Sequence, residues 1–351
     1  MHEKTKGHLL IMRFSAMGDV AMLTPVVASL ARQYPDLRIT VLSQPFARAF
    51  FEGLAPNVSF MEARVKKEEK GIRGLNAIYR RLQAKHFTAV ADMHDVLRTK
   101  YLRMRFVVDR YKVAHIDKHR KEKHRLCAQK GKQLIQLPTS FDNYADVLKQ
   151  LGYPVTLDFT SIYGTGKGPL SRLSGRIDEK KALQQWIGVA PFAAHAGKIY
   201  PVEKTAEVIG QLIQRHPSCR IFLFGGGKKE REQFNQWHEQ WPQCTVVAGL
   251  LNGLSEELIL MSHLDVMLSM DSANMHLASL VHTPVVSIWG ATHPYAGFMG
   301  WGQDHDRAVQ VSLPCRPCSV YGSKPCHRGD YACLNLIAPE TIVEQMEKAM
   351  Q

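Results

Sequence analysis

The sequence predicts an α/β protein with two Rossmann-like halves whose parallel sheets face a central cleft. Strand-like apolar runs alternate with helix-like segments along the chain, an order that is typical of parallel sheets. The alternation restarts after a stretch rich in Gly, Ser and Lys at residues 164–175, which predicts a linker. A length of 351 residues also suits two domains. Open α/β sheets bind ligands beyond the carboxyl ends of their strands, so we expect the binding site there.

The first predicted elements are a strand at residues 8–14 and a helix at 25–33, for which Thr24 and Pro25 suit the N-cap and the first turn. Further strands are predicted at 38–42, 87–93 and 110–115, and a further helix at 141–151. In the second half, strands are predicted at 186–191, 219–224, 245–248, 266–270 and 284–289. Helices are predicted there at 202–215, at 255–262 with Ser255 as its cap, at 274–281 and at 338–350.

These elements predict four parts of the chain. Residues 1–165 form an N-terminal domain and residues 166–185 a linker. Residues 186–337 form a C-terminal domain that contains a cysteine-rich segment at 315–333, and residues 338–351 contain a closing helix.

Composition excludes several classes of protein. The chain is 45% hydrophobic and 22% charged, so it can bury a core that offsets chain entropy, which excludes disorder. Polar and charged residues interrupt the most apolar stretch, 245–270, and no run of about 18 apolar residues suits a transmembrane helix. Residues 1–7 are polar, so we expect no signal peptide and a cytoplasmic protein.

The formal net charge of +13 is concentrated in the first half of the sequence. Residues 1–180 contain 32 Lys and Arg against 17 Asp and Glu, whereas residues 181–351 contain 13 against 15. Residues 96–132 alone hold 13 basic and 3 acidic side chains. Such a field attracts a nucleic acid, an acidic lipid surface or a phosphorylated glycan, unless it is only a solvated basic face. Few aromatic residues interleave with this run and it lacks an RNA-binding motif, so we expect no nucleic-acid partner.

A first candidate site follows the first strand, in residues 14–20. Asp19 can act as general base toward a hydroxyl nucleophile, or it can cap the next helix. Gly18 permits an unusual backbone angle or the close approach of a ligand. The triple-glycine spacing of a dinucleotide fingerprint is absent.

A second candidate site lies in residues 270–276, where small residues precede a helix. Ser272 and Ala273 leave backbone N–H groups that can hold a phosphate. Asp271 can accept hydrogen bonds from sugar hydroxyls, and His276 either faces the same ligand or packs in the core. Thr292 lies in the small-residue loop after the next strand, so we expect it beside the first loop.

Two further loops can contact phosphate groups. Lys198 follows a strand and can neutralise a diphosphate leaving group, or it is a solvated loop lysine. Gly225 and Gly226 begin a glycine loop that continues into two lysines, which makes it a candidate for phosphate or base contact. Its residue order differs from that of a Walker loop.

Four of the seven cysteines cluster near the end of the chain, at Cys315, Cys318, Cys326 and Cys333. In a cytosolic chain such thiols suggest a structural zinc site before disulfides, with His327 as a substitute ligand. The alternative is a reduced or redox-labile loop.

The order of these motifs resembles glycosyltransferase family 9, the ADP-heptose:lipopolysaccharide heptosyltransferases, over nearly the whole chain. Residues 13–19 with Pro25 are similar to the family's opening Met-Gly-Asp motif, and residues 198–201 to its Lys-x-x-Pro loop. Residues 271–276 are similar to its Asp-Ser/Thr-Gly-x-x-His motif, with alanine in place of glycine. Residues 290–294 are similar to its Phe-Gly-x-Thr-x-Pro segment, and many members carry a similar cysteine cluster.

The resemblance implies a GT-B fold with an N-terminal acceptor domain and a C-terminal donor domain. It also implies inverting transfer of heptose from ADP-heptose to the inner core of lipopolysaccharide, with no cofactor required for catalysis. Asp19 would deprotonate the acceptor hydroxyl. Lys198 and the helix that starts near Ser272 would stabilise the departing diphosphate. Asp271 would hold the donor sugar, and His276 would support that loop.

The remaining candidates are divided between the two substrates. We assign to the donor Gly225, Gly226, Ala273 and Thr292, and to the acceptor Gly18, Arg98 and Arg120. Because this acceptor is anionic and lies at a membrane, we expect a peripheral protein at the cytoplasmic face of the inner membrane. The alternatives are a GT-B enzyme with a different nucleotide sugar, such as an epimerase, and a protein that binds RNA or another polyanion.

Overall fold

The computed structural model describes residues 7–351, which form two compact units. The first unit contains the chain up to Lys118 together with Pro138–Ile162, and the second contains His119–Leu137 and Tyr163–Gln351. Residues 119–137 therefore group with the second unit, although they lie inside the expected N-terminal domain at 1–165. The polar start on which we expect no signal peptide lies, except for Gly7, outside the described residues.

Strands and helices alternate in the first part of the chain. The strands are β1 (His8–Met12), β2 (Arg38–Ser43), β3 (Val58–Glu62), β4 (Ala89–Asp92) and β5 (Lys112–His115). The helices are α1 (Met17–Ala21), α2 (Leu23–Gln33), α3 (Arg48–Phe51), α4 (Gly71–Gln83), α5 (Leu97–Val108), α6 (Arg120–Leu126) and α7 (Ser140–Gln150). Of these, α6 belongs to the second unit.

Within residues 7–351, the first unit holds a five-stranded parallel sheet in the order β3-β2-β1-β4-β5. Leu10 in the central strand pairs with Thr40 on one side and with Val90 on the other. Every residue of β1 is buried, which explains its continuous apolar sequence, because helices cover both faces of such a sheet. On one face the rings of Tyr79 and Phe106 pack 4.9 Å apart.

Five elements of this unit are absent from the sequence prediction: the short helices α1 and α3, and β3, α4 and α5. β3 is a partly exposed edge strand without a long apolar run. α4 and α5 are rich in arginine, which obscures the apolar face that packs on the sheet. The predicted N-cap of the first long helix is wrong: α2 begins at Leu23 with Met22 as its N-cap, so Thr24 lies inside the helix. Pro25 lies in the first turn, as predicted.

The second unit repeats the alternation. Its strands are β6 (Trp186–Ala190), β7 (Arg220–Leu223), β8 (Cys244–Val246), β9 (Val266–Met270), β10 (Val285–Ile288) and β11 (Ala308–Val309). Its further helices are α8 (Val202–Arg215), α9 (Lys228–Gln240), α10 (Leu254–Met261), α11 (Ala273–Leu280), α12 (Ala332–Asn335) and α13 (Pro339–Ala349). In the described chain these strands form a six-stranded parallel sheet in the order β11-β10-β9-β6-β7-β8.

One sequence prediction in this unit needs correction, and one long helix was missed. α10 begins at Leu254 with Gly253 as its N-cap at a φ of 84°, so Ser255 lies inside the helix and is not its cap. α9 was not predicted, because polar residues fill most of it and only Phe234 and Trp237 are buried. The two parallel sheets confirm the predicted α/β fold class. No helix found between residues 7 and 351 is both long and apolar enough to cross a membrane.

Candidate active-site residues

The loop after β1 leads Asp19 into the first turn of α1. Asp19 Oδ2 lies 2.8 Å from Arg13 Nη2 and accepts the N–H of Ala16 at 3.1 Å. Ala16 is the N-cap residue, so Asp19 supports the helix start from the third helical position. The capping role and the proposed base role are compatible, because 28% of the Asp19 side chain stays exposed.

Arg13 holds this carboxylate from inside the first unit. Arg13 is 6% exposed, and its Nη1 donates to the carbonyl of Met93. The guanidinium carbon lies 5.6 Å from the ring centre of Tyr144, whose hydroxyl donates to the Asp19 carbonyl at 3.1 Å. Asp19 is therefore positioned by three elements: the loop after β1, the loop after β4, and α7.

His94 is a buried neighbour of this loop that the sequence prediction missed. Its Nδ1 accepts the N–H of Phe14 at 3.4 Å, and its Nε2 lies 3.3 Å from Ser15 Oγ. Burial, followed by the charges of Arg13 and Lys118, lowers the pKa of His94 to about 3. The ring is therefore neutral near pH 7, and since Nδ1 accepts, Nε2 carries the proton and donates to Ser15.

Asp92, the last residue of β4, and Asp95 in the following loop form a buried carboxylate network. Asp92 Oδ1 accepts the N–H groups of His94 and Asp95 at 3.0 and 2.9 Å. Arg103 lies 3.1 Å from Asp92 and 3.2 Å from Asp95. Burial raises the pKa of Asp95, but Lys100 and Arg103 outweigh it and bring that pKa below its ordinary value. Sequence reasoning could have found this network, because its residues lie at the end of a predicted strand and parallel strands of one sheet end at the same edge.

The three acceptor candidates lie on three different helices. Gly18 lies in α1 and is not among the glycines of residues 7–351 with positive φ, so the expectation of an unusual backbone angle is wrong. Arg98 is exposed near the start of α5, and its charge adds, after burial, to the lowering of the pKa of His94. Arg120 is the first residue of α6 and belongs to the second unit, whereas Asp19 belongs to the first.

In the second unit, Lys198 and Asp271 form a buried ion pair. Lys198 Nζ lies 2.8 Å from Asp271 Oδ2, and 15% and 4% of the two side chains are exposed. Lys198 ends a short 3₁₀ helix after β6, and Asp271 follows β9, the strand that pairs with β6. The alternative of a solvated loop lysine is therefore wrong, and the two candidates meet at the carboxyl ends of adjacent strands.

The start of α11 directly follows Asp271 in the sequence. Ser272 is its N-cap, but within the described chain the Ser272 side chain makes no capping hydrogen bond, and its Oγ lies 3.3 Å from Ser269 Oγ. The first N–H groups of the helix, from Ala273 onward, thus have no side-chain cap there. His276 is 6% exposed, which favours the packed interpretation of this histidine.

Thr292 lies in the loop after β10, which the buried Arg316 holds in place. The Arg316 guanidinium donates to five oxygen acceptors, which belong to Trp289, Gly290, Thr292, Gln310 and Val311. Three of these acceptors are main-chain carbonyls of the loop itself, at 2.5 to 3.0 Å. Thr292 Oγ1 is buried and has no hydrogen-bond partner among residues 7–351. Sequence reasoning missed Arg316 because it lies inside the cysteine motif.

Gly225 and Gly226 lie in the loop between β7 and α9. The Glu230 carboxylate, from the first turn of α9, accepts the N–H groups of Gly226 and Gly227 at 2.8 and 3.1 Å. A Cβ at Gly225 would come within 2.7 Å of the same carboxylate. The N–H groups expected to hold a phosphate are therefore already bonded to an anion, and phosphate could bind only if Glu230 moved.

All seven cysteines are free thiols. Among residues 7–351, no three or more His, Cys, Asp or Glu side chains are placed to hold a metal ion. Burial raises the pKa of Cys333 to about 11 and raises that of Cys318, which favours the protonated and less reactive form of these two thiols. Structural zinc at Cys315, Cys318, Cys326 and Cys333, and catalysis without a cofactor, stay predictions.

The family model described as glycosyltransferase family 9 (heptosyltransferase) matches residues 75–327, which is more than half of the chain. The chain belongs to glycosyltransferase family 9. This confirms the predicted family and the predicted enzyme class, a heptosyltransferase. Lys198, Asp271, His276 and Thr292 lie within the matched residues, whereas Asp19 precedes them. The roles of these individual residues stay predictions.

Relatives of this family 9 chain agree with the match. The lipopolysaccharide core heptosyltransferase OpsX of Haemophilus influenzae is 24% identical over 296 residues, which cover 82% of this chain and 80% of OpsX. The solved glycosyl transferase family 9 structure from Veillonella parvula has a TM-score of 0.74 at 18% identity and covers 98% of this chain and 97% of its own. The Escherichia coli ADP-heptose lipopolysaccharide heptosyltransferase II has a TM-score of 0.68 at 16% identity, with 98% of each chain covered. These structural likenesses confirm the GT-B fold.

Proposed function

We propose that this family 9 enzyme transfers heptose from ADP-heptose to the inner core of lipopolysaccharide, with inversion and without a catalytic metal. The observation that carries the proposal is the buried Lys198–Asp271 pair, 2.8 Å apart at the carboxyl ends of adjacent strands. A nucleotide diphosphate sugar needs both a cation for its phosphates and an acceptor for its hydroxyls, and this pair supplies them together. The relatives support the same substrates, since OpsX is a lipopolysaccharide core heptosyltransferase and the Escherichia coli protein is an ADP-heptose lipopolysaccharide heptosyltransferase.

Donor binding would exchange part of this ion pair for contacts with the nucleotide sugar. Lys198 would neutralise the charge that develops on the departing diphosphate, where a preorganised cation is most effective. Asp271 would accept hydrogen bonds from sugar hydroxyls, and the uncapped N–H groups after Ser272 would add to diphosphate binding. The buried hydroxyl of Thr292 would contact the donor, and His276 would support the loop after β9 from the core.

Acceptor activation would fall to Asp19. As the acceptor oxygen attacks the anomeric carbon, the Asp19 carboxylate would take the hydroxyl proton. The new carbon–oxygen bond would form opposite the bond to the diphosphate, which would break and release ADP. Arg13 would keep the carboxylate oriented, and the neutral His94 would hold the loop through Ser15.

The substitution Asp19→Asn tests this role, because the amide oxygen can still accept the N–H of Ala16 but cannot take a proton at neutral pH. We expect transfer to lipopolysaccharide truncated at the inner core to fall by about 10²- to 10⁴-fold. The rise in Tm that ADP-heptose causes should stay unchanged, because donor binding does not use Asp19. Asp146→Asn, an exposed substitution in the same unit, is the matched control. Full activity of Asp19→Asn would exclude the base assignment.

The donor assignment has an independent test in the Tm shifts caused by ADP-, UDP- and GDP-sugars. We expect selective stabilisation by ADP-heptose, since a ligand that binds only the folded state raises its Tm. Stabilisation by UDP-sugars alone would show that ADP-heptose is not the donor, without contradicting the family assignment. Mass spectrometry of the reaction should show one added heptose on the acceptor, and an altered donor sugar without any acceptor would indicate an epimerase instead.

A further inference from the structure

The solvent side of α5 is largely apolar. Four side chains, which we call the α5 patch, are exposed: Leu97 by 87%, Met104 by 53%, Val107 by 57% and Val108 by 71%. Leu97, Met104 and Val108 are seven and four residues apart, so at about 3.6 residues per turn they form one stripe along the helix. These side chains belong to a helix whose other side is already packed.

That other side is the one that folds the helix onto the first unit. Leu102 and Phe106 are completely buried, and they account for the packing of α5 without the α5 patch. A helix on the surface of a domain ordinarily carries polar residues on its solvent side. Four of the ten large apolar residues that are exposed within residues 7–351 lie on this one helix. Such concentration marks an interaction surface.

Positive charge surrounds the α5 patch. α5 contains four basic residues and no acidic one, and Lys100 is exposed within the stripe. α4 packs beside α5 through Asn76, whose Oδ1 accepts from Tyr101 at 2.8 Å and from Arg105 at 2.7 Å. One turn before Asn76, α4 adds Ile72, which is 65% exposed. Arg103 pairs with Asp92 and Asp95, and Lys100 lies 3.6 Å from Asp95, so these two carboxylates offset part of the charge of the four basic residues. The surface thus combines apolar side chains with a smaller net positive charge.

We propose that the α5 patch binds the surface of an anionic lipid bilayer. Apolar side chains can enter the boundary between headgroups and acyl chains while the basic residues face anionic headgroups, as in interfacial amphipathic helices. A second copy of this chain fits less well, because pairing two α5 helices would bring like charges together. The choice of lipid also rests on the proposed function, since a lipid-linked acceptor requires the enzyme at a membrane surface.

The test measures co-sedimentation with vesicles in the absence of donor and acceptor, so it does not depend on transfer activity. Vesicles of phosphatidylethanolamine with phosphatidylglycerol are compared with neutral phosphatidylcholine vesicles. We expect the full chain to bind the anionic vesicles, and binding to weaken as salt rises. The triple substitution Leu97→Ser, Met104→Ser, Val108→Ser should weaken binding by about tenfold or more, because its apolar groups no longer enter the bilayer.

The matched control replaces two apolar residues of the second unit that are similarly exposed, Leu183→Ser and Leu336→Ser, at 94% and 62% exposure. It should bind vesicles like the unaltered chain, and both variants should keep the unaltered Tm. Failure of the unaltered chain to bind, or equal binding by the triple variant, would overturn the proposal. So would a dimer that the triple variant disperses without any vesicle binding, since the α5 patch would then contact protein. The Tm shift with ADP-heptose, measured separately, shows whether the proposed donor chemistry stands in either case.

Discussion

Replacing Arg316 with methionine should destabilise the second unit by about 3 kcal/mol. The guanidinium is 5% exposed and satisfies five oxygens, three of them carbonyls of the loop that contains Thr292. Leaving a buried acceptor without its donor costs about 1 kcal/mol at the low end of the usual range, so the three loop carbonyls alone give a loss of about 3 kcal/mol. Burial lowers the pKa of Arg316, as expected for a guanidinium that is largely removed from water.

Tryptophan fluorescence during urea unfolding is a suitable assay. All five tryptophans of the chain, at positions 186, 237, 241, 289 and 301, lie in the second unit. The signal therefore reports the unfolding of that unit, even if the two units unfold separately. Arg316→Lys should recover little of the loss, because an ammonium has three donors and lacks the planar geometry of the guanidinium.

The control is Arg328→Met. Arg328 is 45% exposed in its side chain and lies 2.8 Å from the Asp330 carboxylate, so its loss should change stability by less than about 1 kcal/mol. A loss for Arg316→Met no larger than that of the control would refute the reasoning. We also expect Arg316→Met to weaken the Tm shift caused by ADP-heptose, because the loop would lose its fixed conformation. An unchanged shift would show that the loop does not contact the donor.

Two further predictions concern the same unit. Lys198→Gln should lower kcat for heptose transfer by about 10²-fold or more and also lower Tm, because it leaves the Asp271 carboxylate buried at 4% exposure without its cation. Adding Asp271→Asn should restore Tm but not kcat, and recovery of both would exclude a role for Lys198 in the reaction. Burial lowers the pKa of His293 from 6.5 to about 4, so the unfolded state binds a proton first and second-unit stability should fall as pH drops from 6.5 toward 4. His293→Gln should flatten this dependence in tryptophan-monitored unfolding, and identical slopes would reject the assignment.

The sequence was sufficient for the fold because its central strands are covered on both faces. β1, β6 and β9 are buried throughout, so each is a short continuous apolar run that alternation with helices identifies. Edge strand β3 and the arginine-rich helices α4 and α5 were missed for the opposite reason, since exposed or half-buried residues interrupt their apolar pattern. Their apolar side is evident only once the sheet that it covers is known.

The candidate site shows the same division between local and tertiary information. Lys198 and Asp271 could be named because each follows a strand, and parallel strands end at a common edge. His94 and Arg316 could not, because their importance lies in contacts with residues about 80 and 25 positions away, such as His94 with Phe14 and Arg316 with Gly290. The occupation of the glycine loop by Glu230 also depends on a rotamer that spacing does not determine.

The net charge of +13 is shared by both units. The first unit contains 22 Lys and Arg against 14 Asp and Glu, and the second contains 23 against 18. A division at residue 180 makes the second half slightly acidic because two basic stretches of the second unit precede that point. Residues 119–137 contain six basic side chains and one acidic, and residues 163–180 contain four and two. Basic excess alone therefore does not identify an acceptor surface. What distinguishes the first unit is that positive charge and exposed apolar side chains coincide on α5, and a count of charges cannot reveal which face of a helix is left uncovered.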